Sequence, residues 1–143
     1  MDNEPDIKKF KLIVKKLVKK HNIKITGRRR TARGEARVPE RTIIIPYIHN
    51  VHNFLICIHE VGHIVNKWSY DKMSIHRSEF LTEKWTIQQA RKYKLHTKHP
   101  RQYELYVRNA KRYVVNCCRE NKKPIPYYVM KWVKAKPSIH EEL

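Results

Sequence analysis

The chain has 143 residues, the usual size of one domain, and 41% of them are apolar, enough for a hydrophobic core. Its 32 Lys and Arg against 13 Asp and Glu give a net charge of +19, a field that draws polyanions such as nucleic acid, anionic membrane or acidic protein segments. The three cysteines, Cys57, Cys117 and Cys118, form no CxxC pair, which excludes a disulfide framework and a cysteine zinc site.

In chain order, Met1 to Asp6 is acidic and lacks the apolar core of a signal peptide. Residues 6–21 read as an amphipathic helix, with Phe10, Ile13, Val14, Leu17 and Val18 on one face, lysines on the other and Asp6 as N-cap. Three short strands are expected next. They are Ile23 to Ile25, Ala32 to Val38, and Arg41 to Ile45, with a turn at Gly27 to Arg30 and Pro46 ending the third. Together they predict a small antiparallel sheet. Residues 50–66 are apolar around almost the whole helical wheel, the mark of a helix buried at the centre of its domain. A polar connection spans 67–77. Helices follow over 78–95, capped by Ser78, and over 101–121, where Tyr103, Tyr106 and Tyr113 read as core; Pro100 stops the first of the two. Tyr127 to Val133 closes the chain as a short helix, before a loose tail at 134–143. The expected fold is α+β and mostly helical, a single domain over 1–143 with about three strands beside a buried helix. No stretch approaches about 18 apolar residues, so no membrane span is expected, and the reduced thiols suit the cytoplasm.

Chemistry concentrates in His59-Glu60-Val61-Gly62-His63. Histidines at i and i+4 share one helix face, at a spacing that lets both bind one metal ion. Glu60, about 100° around the helix from His59, can reach a water activated by that metal and serve as general base. Two imidazoles and a carboxylate in an apolar helix are costly to bury bare, and Zn²⁺ would offset that cost. Three downstream residues are candidates for the third ligand: His76, Glu79 and Glu83. Glu79 is preferred, with Glu83 accepting a hydrogen bond from a ligand imidazole. Acids are scarce in this chain, so two on one helical face close after the histidine pair carry weight.

These residues resemble the gluzincin branch of the zincin metallopeptidases, in which HExxH is followed by a helix with a glutamate ligand. The stretch Glu79-Phe80-Leu81-Thr82-Glu83 stands where that pattern falls, and the resemblance, over roughly residues 35–95, extends to ImmA/IrrE-like and phage-encoded small metallopeptidases. It implies a zinc peptidase with His59, His63 and Glu79 as ligands, Glu60 as base and Glu83 behind the ligands. Thr82 and Thr86 depart from the family's usual alanines, and Glu83 from its usual Asp or Asn. His76-Arg77-Ser78-Glu79-Phe80 is loosely similar to the SprT-like proteases that act on DNA-associated proteins, which would make His76 the ligand. Such peptidases hold substrate against a sheet edge, for which residues 41–45 or 32–38 are candidates.

The expected activity is therefore hydrolysis of a protein or peptide, with acidic ones favoured by the net charge, by a zinc enzyme in the cytoplasm, of a host cell if the chain is virus-encoded. The alternative is a basic protein associated with nucleic acid, its zinc structural. Arg28, Arg29, Arg30, Arg33, Arg37 and Arg41, with tyrosines among the cations of residues 92–113, suit non-specific phosphate contact and base stacking.

Overall fold

The apolar stripe of the first segment buries Phe10 and Val14 as it winds into α1 (Glu4–Lys20). Asp6, expected as its cap, lies within its first turn instead. The computed structural model describes residues 4–66, 75–120 and 124–135. The chain gathers into two compact units, Met1–Trp68 and Ser69–Leu143.

In the first unit, α1 leads into β1 (Lys24–Arg29), β2 (Glu35–Arg37) and β3 (Thr42–Pro46), then α2 (Val51–Val65). The sheet order is β1-β3-β2. β2 runs antiparallel to β3, but β1 runs parallel to it, so the sheet is mixed rather than antiparallel as expected. The reason lies in β3, whose Ile43 and Ile45 are 1% and 0% exposed. The most apolar strand takes the centre, and the two more polar strands take the edges. Residues 41–45 therefore cannot offer a free edge to a substrate, whereas β2 can. The turn expected at Gly27 to Arg30 is also corrected, because β1 runs on through Arg29 with a register shift between Ile25 and Gly27. That shift is a β-bulge at Thr26. It pairs Ile25 with Ile43 and Arg28 with Ile45, which puts both on the face of the two buried isoleucines.

Two turns of this unit are tied together by Arg41. It and Asn22 both adopt left-handed backbone, with φ of 56° and 55°. The Arg41 guanidinium donates to the His21 carbonyl through Nη2 and to the Asn22 carbonyl through Nε at 3.3 Å. These bonds hold the end of α1 against the entry to β3. α2 packs on β3, β2 and α1, and Phe54 stacks on Phe10 with ring centroids 4.4 Å apart. Asn50 caps α2, its side chain accepting from the Asn53 backbone N–H at 2.8 Å. At the other end the Asn66 backbone N–H and Nδ2 both donate to the Gly62 carbonyl.

The second unit comprises α3 (Ile75–Lys92), α4 (Leu95–Lys98), α5 (Pro100–Glu120) and α6 (Tyr127–Lys134). α3 starts before Ser78, so that residue does not cap it, and it ends earlier than expected. The chain turns at Lys94, which has φ of 62°. Pro100 opens α5 rather than only ending what precedes it, which fits a ring that fixes φ and lacks the N–H a first helical residue leaves unused. α5 packs on α3, and Tyr103, Tyr106, Ala110 and Val114 are buried as its periodicity predicts. Tyr113 is the exception at 47% exposed. Trp132 of α6 meets Phe80 of α3 edge-on at 5.2 Å.

Residues 67–74 of the expected polar connection, residues 136–143 of the expected tail and His140 lie outside the described residues. Among the described residues the α+β, mostly helical fold class stands, and no helix is long and apolar enough to cross a membrane.

Candidate metal centre

α2 has the sequence of a buried helix, and ten of its 15 residues are buried, Glu60 among them at 7% exposed. His59 and His63 emerge half-buried one turn apart on it. Their Nε2 atoms stand 3.0 Å from each other, with the rings edge-to-face at 89°. Two nitrogens each about 2.05 Å from a tetrahedral zinc ion would be separated by about 3.3 Å. The two nitrogens thus stand at nearly that spacing. Without a cation, one proton shared between the rings would be needed to hold the same geometry.

Glu79 lies on the first turns of α3. One ligand atom from each of His59, His63 and Glu79 lies within 4.8 Å of the others, so this group could hold a metal ion. Two imidazole nitrogens and a carboxylate oxygen suit zinc and other borderline divalent ions better than Ca²⁺ or Mg²⁺, which take oxygen ligands. The backbone of His76 lies in α3, while its side chain is outside the described residues.

Glu83, one turn beyond Glu79, is 5% exposed and accepts a hydrogen bond of 2.6 Å from the Tyr106 hydroxyl. Tyr106 is therefore both core and carboxylate partner. A charge-assisted bond of this kind is about twice as strong as a neutral one. Thr82 and Thr86 are buried at 1% and 0% exposed. The Thr86 hydroxyl bonds back to the Thr82 carbonyl at 2.8 Å, so the helix absorbs its polarity.

Two neighbours of these acids escaped the sequence reading. The first is Gly34, in the loop before β2. A Cβ placed there would stand 2.5 Å from Cγ, 2.6 Å from Oε2 and 2.8 Å from Cδ of Glu60. Any side chain there would force the Glu60 side chain to shift, so glycine lets the loop close over that carboxylate as it stands. No local pattern could reveal this, because the approach comes from folding β2 over α2. The second is Tyr113. Burial, then the Glu79 carboxylate and then Cys117 push its hydroxyl well above the usual tyrosine range, so it remains protonated. A helical wheel does carry a faint signal: Tyr113 falls one residue off the buried stripe of Ala110, Val114 and Cys117, at its edge.

Of the arginine-rich segment, Arg28, Arg30, Arg33 and Arg37 are exposed, whereas Arg29 and Arg41 are half-buried, the latter serving the turns. The cysteines are free and buried, as expected. No known protein family, curated protein or solved structure matches the chain.

Proposed function

We propose that this chain is a zinc-dependent peptidase of the zincin type. His59, His63 and Glu79 hold the metal, and Glu60 is the general base. The observation that carries this reading is the convergence of His59 Nε2 and His63 Nε2 at 3.0 Å, next in sequence to a buried carboxylate.

A zinc ion on these ligands supplies Lewis acidity, polarising a carbonyl and lowering the pKa of water to about 7. Glu60 takes the proton of the attacking water and returns it to the leaving amine as the peptide bond breaks. Gly34 leaves room for the Glu60 carboxylate. The Tyr113 hydroxyl, protonated and close to Glu79, is the donor for the negative charge that develops on the carbonyl oxygen. Glu83, held by Tyr106, fixes a ligand imidazole. β2 offers its outer edge as a template for an extended substrate. The free thiols suit a cytoplasmic location.

Glu60→Gln tests this reading, because an amide keeps the shape and loses the base. Hydrolysis of a denatured protein substrate should fall by about 100-fold to 10,000-fold, with zinc content unchanged. Wild-type cleavage by the zinc-loaded variant would falsify the assignment.

A second reading, contact with single-stranded nucleic acid, rests on a groove of about 370 Å³ in the second unit. Arg77, Lys84 and Lys131 line it beside Phe80, Tyr128 and Trp132, and Lys84 Nζ lies 5.4 Å from the Phe80 ring centroid. Cations beside aromatic rings are the chemistry of phosphate contact and base stacking.

A further inference from the structure

A second concavity lies within the first unit, bounded by α1, β1 and the segment between β3 and α2. Its volume is about 520 Å³, within the range of roughly 300–1,000 Å³ typical of small-molecule sites. The floor is aliphatic: Val14 and Val18 from α1, Ile25 from β1, and Ile48. Lys11 and Lys15 stand on one side and Arg28 on the other, with Tyr47 and His49 completing the wall. Among the described residues no acidic side chain lines it.

Arg28 reaches this place because of the bulge at Thr26. In a regular strand, residues three apart point to opposite faces. The register shift leaves Ile25 opposite Ile43 and Arg28 opposite Ile45, so floor and cation share one face. Bulges commonly re-aim a side chain in this way.

Lysines on α1 alone would be an ordinary solvated helix face. A third cation brought across from a strand, around an aliphatic floor and without a carboxylate, has a different consequence. The apolar floor favours an apolar body, and the three cations favour an anionic end. We propose that this cavity binds a small anionic amphiphile, a carboxylate or phosphate carried on an acyl chain or similar apolar body. This site is independent of the metal centre, and its test does not read hydrolysis.

The full chain is titrated calorimetrically with decanoate, decyl phosphate and neutral decanol. One equivalent of decanoate or decyl phosphate should bind, with decanol weaker by about tenfold, since three partly exposed cations each contribute a few-fold. The stronger of the two anions identifies the head group. The combined Lys11→Gln, Lys15→Gln, Arg28→Gln variant changes surface residues only and should bring decanoate down to the affinity of decanol. Val18→Trp, checked for folding by circular dichroism, should block all three ligands. Equal affinity for decanol and the anions overturns the proposal. So does an unchanged anion affinity in the combined variant, or the lack of saturable binding below about 1 mM, a free energy of about 4 kcal/mol.

Discussion

Glu60 occupies the space that a side chain at position 34 would take, so the placement of its carboxylate depends on a loop glycine. Gly34→Ala pushes a methyl group to within 2.5 Å of Glu60 Cγ, and the carboxylate must move. The φ of Gly34 is not in the left-handed region, so alanine is not strained by the backbone itself. Activity should therefore fall by about 100-fold, the effect of misplacing a reacting group by about 1 Å, while the thermal midpoint shifts by less than about 4 °C. Wild-type turnover in this variant would show that Glu60 is not the base. The third ligand is tested by metal analysis. Glu79→Ala should lower bound zinc below one equivalent, and His76→Ala should leave it intact. Zinc loss confined to the His76 variant would transfer the role to that histidine. The histidine pair was legible in the sequence because helical spacing alone brings the rings together. Gly34 and Tyr113 were not, because each acts on a carboxylate distant along the chain.

Among the elements, α2 was the most legible, since an apolar wheel interrupted by His59, Glu60 and His63 announces burial and gathers candidate ligands. The strands were less so. Alternation locates a strand but carries no information about direction, and the parallel β1–β3 pair follows only from β3 taking the centre. α2 and α5 also carry the buried thiols. Burial, with a smaller contribution from Glu60, pushes Cys57 from 9.0 up to about 12. Burial raises Cys117 and Cys118 too, with Glu79 adding to the effect on Cys117. Each thiol is neutral in the folded chain at a pH where the unfolded chain has begun to ionise. The stability they confer is complete below about pH 9 and drains away as the pH rises towards 12. Urea midpoints should therefore drop between pH 8 and pH 10.5. Cys57→Ala should flatten part of that drop, at the cost of a lower midpoint at pH 8. A pH-independent midpoint would show that the thiols ionise equally in both states.

Across the whole molecule, Glu60, Glu79 and Glu83 are three of only 13 acids in a chain of net charge +19. Scarcity made them conspicuous in the sequence, but charge could not say which cations gather near aromatic rings. The groove around Phe80 answers that within the second unit. Fluorescence anisotropy with oligo-dT should show binding that weakens steeply with salt, about 0.7 in log–log slope for each phosphate neutralised. Lys84→Gln with Lys131→Gln should reduce that slope by more than one, whereas Arg30→Gln with Arg33→Gln should leave it nearly unchanged. The opposite ranking would move the contact to the first unit.

Among the described residues the sheet has three strands, and the outer strand β1 is lined with cations, Lys24, Arg28 and Arg29, while β2 carries Arg37 beside Glu35. An open edge beside an aliphatic centre strand invites another chain to add on, and like charges along it make that encounter repulsive. The β1 arginines among those that look like a nucleic-acid signal would thus also disfavour pairing of that edge with another copy of this protein. Their loss would be felt first as a shortened shelf life at high concentration.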